Sequence, residues 1–280
     1  MTTSQRWMAI SILVAAASLL GAGVVVSMMV GVFSVPMDRV LRLLLVDDGS
    51  AARGVVWDLR LPRALVGAMV GANLAVAGGL FQGVTRNPLA APSIVGVSAG
   101  AGFAVVLVKV VVQGFPEPLL PFAAFVGAAG AGVVVFGMAW KQGISPVRLV
   151  LAGVAVALFL SGLTTGILLS AKIEPQANEV YFWMAGGILG RGWTHVSILW
   201  PWVVGGLLLS LLFAWQANIL LLAEDVARSL GIKLHSWRLG LGVLGLVLAA
   251  SAVSVAGPIG FLGIVVPHTA RLLVGPDHRW

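Results

Sequence analysis

Arg60 and Arg63 sit three residues apart in Leu59-Arg60-Leu61-Pro62-Arg63, just ahead of an uncharged run from Ala64 to Phe81. Two chemistries fit arginines at such a place. Interfacial arginines snorkel and anchor a helix, and the planar guanidinium fork also pairs bidentately with carboxylates on a soluble partner. At the far end of the run comes Gln82-Gly83-Val84-Thr85-Arg86-Asn87-Pro88-Leu89-Ala90-Ala91-Pro92. Asn before Pro makes a turn, but a polar break next to a membrane span usually has a function. Asn87 and Leu89 are therefore candidates for a gate whose side chains close a pore. Ser145-Pro146 is a second such break. A third polar feature is the amphipathic insert at about 217–237, ending at Gly231. It suits a membrane surface or the cleft of a partner subunit, with Glu224, Asp225 and Arg228 on its exposed side.

Catalytic chemistry is poorly supported. The dipeptide Gly-Lys does not occur, so the chain has no phosphate-binding loop of the Gly-x-x-x-x-Gly-Lys-Ser/Thr type. It lacks a His-Glu-x-x-His zinc helix. His195, His235, His268 and His278 are scattered, and there is no cysteine to form a disulfide or a thiolate site. No carboxylate falls inside an apolar run, which argues against the buried Asp or Glu on which ion-coupled carriers often rely. Transport driven by a separate energy source is the better reading, with an ion-coupled secondary transporter of a small solute as the alternative.

The elements that must position these residues are membrane helices. The chain is 59% hydrophobic and 10% charged, with a mean hydropathy of +1.04; soluble domains carry about 25% charged residues. Apolar runs near 8–32, 64–82, 94–113, 119–140, 148–171, 195–216, 238–257 and 260–274 predict a polytopic all-α bundle of eight spans. The runs are continuous rather than alternating, which argues against a β-barrel. The first run is too long for a signal peptide and reads as a retained span. Residues 33–63 read as a long charged loop and 172–194 as an aromatic-rich one. Gly67/Gly71, Gly96/Gly100 and Gly162/Gly166 have the spacing that lets helices pack closely. Net charge +7 lies mostly on flanks, without the basic run that nucleic acid requires. Its distribution mildly favours a cytoplasmic N-terminus. A short echo links Val76–Gly83 with Val255–Gly263, as an inverted repeat would leave.

Several stretches, in this order and spacing, resemble the permease family of type II ABC importers for iron-siderophores, haem and vitamin B12 (FecCD-like). They are Leu59–Arg63, Asn87-Pro88-Leu89-Ala90-x-Pro92, Gly96-Val97-Ser98-x-Gly100-Ala101-Gly102, Arg148–Ala155 and Trp183-Met184-x-Gly186-Gly187. Ala227-Arg228-Ser229-Leu230-Gly231, Gly260–His268 and Asp277-His278-Arg279 complete the set. The resemblance covers essentially the whole chain as one transmembrane domain, 1–280. It implies a permease without enzymatic activity of its own, in the cytoplasmic (inner) membrane as a homodimer. Two cytoplasmic ATPase subunits would bind the ATP-Mg and an extracytoplasmic binding protein would deliver the substrate. On that analogy Arg60 and Arg63 meet acidic residues of the binding protein. Asn87 with Leu89, and Ser145 with Pro146, form cytoplasmic gates. The 218–232 segment, with Glu224, Asp225, Ala227, Arg228 and Gly231, forms the coupling helices. The family has ten spans against eight here, so the last two helices and their second arginine dock are expected to be missing.

Overall fold

The computed structural model describes residues 3–112, 114–141, 143–170, 174–220 and 233–275. Among them the chain is helical throughout, with a lone backbone bridge between Trp140 and Ile144. The helices are α1 (Thr3–Met29), α2 (Met37–Leu45), α3 (Ala51–Gly54), α4 (Leu61–Thr85), α5 (Val97–Val106) and α6 (Leu120–Ala139). They continue as α7 (Pro146–Ser170), α8 (Glu174–Ala185), α9 (Trp193–Leu212), α10 (Ala214–Leu220), α11 (Leu234–Ala256) and α12 (Leu262–Val274). Each of the eight expected apolar runs carries a helix. Among the described residues, six helical runs are long and apolar enough to cross a membrane, while Val97–Val111 and Leu262–Val274 are shorter.

Two expected loops are largely helical. Residues 33–63 hold α2, and Ala51–Thr85 is one unbroken helical run of 35 residues. Pro62 does not stop it. A π-helical turn, Val55–Arg60, precedes the proline, and its wider winding absorbs the ring and the missing N–H that would break a regular helix. The 172–194 segment likewise contains α8.

Helix α11 is the axis of the bundle. The most apolar stretch of α11 is 72% buried, against 6% for α1, 17% for α7 and 11% for α9. It packs on α4, α6 and α9, while α5, α6 and α7 pack on one another. Small residues allow this crowding. A Cβ placed on Gly78 of α4 would lie 2.0 Å from the Gly263 carbonyl oxygen of α12, and one on Gly100 of α5 would lie 2.3 Å from the Gly127 oxygen of α6. A polar stitch adds to the α4–α11 contact: Asn73 Nδ2 donates to Ser251 Oγ at 2.9 Å. Ser251 spends its own hydroxyl hydrogen on the Leu248 carbonyl, which leaves its oxygen free to accept. Such bonds hold membrane helices together where apolar packing alone discriminates poorly.

Candidate functional site

At one end of the bundle, Arg60 and Arg63 have separate fates. Arg60 is 6% exposed. Its Nη1 donates to the Met28 carbonyl at 2.7 Å and the Met29 carbonyl at 3.3 Å, and its Nη2 donates to the Phe33 carbonyl. These carbonyls lie at the C-terminus of α1 and just beyond it, where the helix dipole favours a cation; that of Met29 also accepts from the Val35 N–H at 3.0 Å. Gly31 leaves the space: a Cβ there would lie 2.6 Å from Nη2. The two guanidinia thus differ in what they are bonded to. Arg60 clamps α1 to the π-turn, and its fork is occupied. Arg63 is half-buried and, among the described residues, makes no hydrogen bond or ion pair.

The same end holds an ion cluster that the linear sequence concealed. Lys109, from the π-turn after α5, bonds Glu117 at the start of the next helical segment, and it bonds Glu179 of α8 at 2.9 Å. Three separated segments supply the three charges, and in the sequence the two acids read only as loop residues. A cavity of about 540 Å³ adjoins them, walled by Phe182, Trp183, Ile188 and Arg191. Burial pushes the Arg191 guanidinium below its ordinary pKa.

At the opposite end, α4 closes on Arg86, which adopts the left-handed conformation at φ 52°. The N–H of Asn87 reaches the Gln82 carbonyl at 3.2 Å and that of Arg86 the Gly83 carbonyl at 3.3 Å, a Schellman closure built without glycine. Left-handed backbone is costly for a side chain with a Cβ. What fixes Arg86 is its side chain, whose Nε donates to the Leu220 carbonyl at 3.0 Å. Leu220 ends α10. Beyond the cap, Asn87 Oδ1 accepts from the Leu89 N–H at 3.0 Å, and this turn leaves Leu89 68% exposed.

Ser145 and Pro146 are half-buried at the start of α7, where the Ser145 carbonyl accepts from the Leu149 N–H. Their corner is held from two sides. Arg148 Nη2 donates to the Lys141 and Gly143 carbonyls at 2.9 and 3.1 Å. From α11, Arg238 donates to the Ile144 carbonyl at 3.4 Å, and the His235 ring lies against Gly143, where a Cβ would meet it at 2.2 Å. The turn Pro92–Val95 packs against α7 as well: a Cβ on Gly153 would overlap the Ile94 carbonyl at 1.6 Å. Both breaks are thus tied to one helix.

These contacts bracket the polar insert. Leu220, near the start of the insert, is bonded beside the Asn87 turn, and His235, near its end, and Arg238, just past it, hold the Ser145 corner. Glu224, Asp225, Ala227, Arg228 and Gly231 lie outside the described residues, as does Asp277-His278-Arg279. Arg86, Arg238 and His235 were legible only as flanking charges, because nothing local marks which carbonyl an arginine will reach.

Residues 19–280 match the model of the FecCD transport family. The chain belongs to that family. It is 40% identical over 258 residues to the Fe(3+)-citrate import system permease protein YfmD of Bacillus subtilis (strain 168), covering 92% of this chain and 76% of the relative. It is 41% identical over 260 residues to the ferric enterobactin transport system permease protein FepD of Escherichia coli (strain K12), covering 91% and 76%. The cobalamin import system permease protein BtuC of Halobacterium salinarum is 42% identical over 235 residues, covering 82% and 62%. A metal-chelate type ABC transporter solved in an inward-facing conformation superposes with a TM-score of 0.83 at 28% identity, over 96% of this chain and 83% of that one. This FecCD-family chain is a multi-pass membrane permease of the ABC-importer class.

Proposed function

We propose that the chain carries a metal chelate, such as a ferric siderophore, ferric citrate or a corrinoid, across the cytoplasmic membrane by alternating access. It would act as a pair of copies with two ATPase subunits at the Asn87 end and a binding protein at the Arg63 end. The names of its relatives support the substrate class. ATP-Mg chemistry belongs to the partner subunits.

The observation that carries the mechanism is the Arg86 bond to Leu220. It joins the Asn87–Leu89 turn directly to Leu220, in the first residues of the polar insert. The contacts of His235 and Arg238 with Gly143 and Ile144 do the same for the Ser145–Pro146 corner. When the ATPase dimer closes on the insert, including Glu224, Asp225, Ala227, Arg228 and Gly231, movement of its two flanks pulls on both turns. Leu89, exposed at its tip, withdraws from or enters the path between two copies. At the other end the docking charge falls to Arg63, whose fork is open to a carboxylate.

Reconstitution with the ATPase subunits and binding protein in proteoliposomes tests this. Arg86→Ala is expected to leave ATP hydrolysis nearly unchanged while lowering chelate uptake about tenfold, the scale of a lost coupling contact. Uptake at the wild-type rate in this variant would remove the coupling role. Vanadate-resistant uptake would remove the ATP-driven reading altogether.

A further inference from the structure

Helix α2 has three faces where a surface helix ordinarily has two. Val40 and Leu43 are buried against Met28, Val35 and Val56. Asp38, Arg39 and Arg42 form an exposed polar face. Met37, Leu41 and Leu45, four residues apart and so on one side of the helix, are apolar yet 52%, 44% and 86% exposed. An uncovered apolar face beside a charged one needs a surrounding that is itself two-sided.

The position of α2 supplies it. The helix starts just past the end of α1, packs on that helix's last turn through Met28, and packs on the π-turn through Val56. The π-turn also holds Trp57, whose ring lies 5.6 Å from that of Trp193 and whose carbonyl accepts from Trp193 Nε1 at 3.0 Å. Arg53 stacks over Trp57 at 4.5 Å. Tryptophan and arginine gathered where spans end mark the depth of the membrane–water interface. Val30, Val32 and Phe33, in the short link between α1 and α2, are also apolar and exposed.

We propose that α2 lies in the plane of the bilayer interface as a lipid-binding helix. Met37, Leu41 and Leu45 enter the boundary of the acyl chains, and Arg39 and Arg42 pair with phospholipid phosphates. The segregation of faces is that of a monotopic interfacial helix, and the guanidinium fork matches phosphate oxygens. The contact has a mechanical consequence. Because α2 packs on both α1 and the π-turn that carries Arg60, a lipid-held α2 fixes the depth of the rim on which Arg63 stands. The inference concerns the membrane alone and does not depend on the substrate or on the coupling mechanism.

The chain has no cysteine, so single sites can be spin-labelled without a background. Leu41→Cys, Leu45→Cys and Arg39→Cys, each in lipid nanodiscs, would be read by nitroxide relaxation with oxygen and with a water-soluble nickel chelate. Positions 41 and 45 are expected to be several-fold more accessible to oxygen than to nickel, and position 39 the reverse. Preference for nickel at 41 and 45 would place that face in water. Protection from both reagents would mean that protein, a second copy or a partner, covers it. Either result overturns the proposal. A companion measurement leaves α2 native: a photoactivatable phosphatidylglycerol in the same nanodiscs should form adducts within 37–45, and their absence counts equally against it.

Discussion

A buried guanidinium is stable only if its donors are used, and Arg60 uses two of its nitrogens on three backbone carbonyls. Each hydrogen bond to a charged group contributes about 1.5–3 kcal/mol, and leaving the acceptors unserved adds a desolvation cost. Arg63, three residues on, has no such obligations among the described residues. The two arginines should therefore separate cleanly in experiment. Arg60→Gln is expected to lower the thermal midpoint of the solubilised protein by roughly 6–12 °C, from a loss of ~3 kcal/mol at about 2–4 °C per kcal/mol. Arg60→Lys should fall between, since an ammonium lacks the fork. Arg63→Glu should leave the midpoint in place and weaken affinity for the binding protein by more than about tenfold, as reversal of a docking charge does. Equal thermal shifts for the two arginines would defeat the distinction, and unchanged partner affinity in Arg63→Glu would end the docking role proposed for it.

At the scale of elements, what packs is decided by where a glycine's bare face points. The Gly-x-x-x-Gly spacing marked six glycines, but only Gly100 among them meets a neighbouring backbone below 3 Å, while Gly71, Gly162 and Gly166 meet nothing within 4 Å. The tightest α4–α12 approach is at Gly78, which belongs to no such pair. Gly78→Ala should push α12 off α4, and with it the bond between Gln82 and Arg271. A loss of about 1–3 kcal/mol is typical of overpacking. Gly71→Ala should be neutral or slightly stabilising, because alanine costs the helix less than glycine by about 0.5–1 kcal/mol. Thermal unfolding of both variants checks the contrast, and a harmless Gly78→Ala would refute it. This also shows what could be read from the chain. Span positions followed from apolar length, since lipid forces every backbone group into a helix. The helical character of 51–60 did not, because charge and Pro62 mimic a loop and the π-turn that accommodates the proline has no sequence mark. The turn at Asn87 was legible from Asn-Pro, whereas its tether to Leu220 joins residues 134 positions apart.

At the scale of the molecule, a bundle centred on α11 leaves α1, α7 and α9 facing outward, and these long helices are the candidates to line a transport path that forms between two copies. Helix α7 is the one to which both proposed gate turns are tied: Ser145-Pro146 opens it, and Pro92–Val95 rests on Gly153. Its outward stripe runs through Leu151, Leu158, Gly162, Gly166 and Leu169, all exposed. The Gly162/Gly166 pair, unused inside the protomer, is thus presented on the side where a second helix could approach closely, which is how small-residue pairs bring membrane helices together. Lipid alone would not require glycine there, and the cost of glycine in a helix argues for a protein contact. Leu158→Cys is therefore expected to form a covalent dimer on mild oxidation in membranes, while Leu208→Cys, 62% exposed on α9, remains monomeric. Gly162→Ile should abolish that cross-link and lower the mass of the particle in nanodiscs from two copies to one. Cross-linking through position 208 in place of 158 would put the second copy on α9, and the path between copies would then run past neither proposed gate.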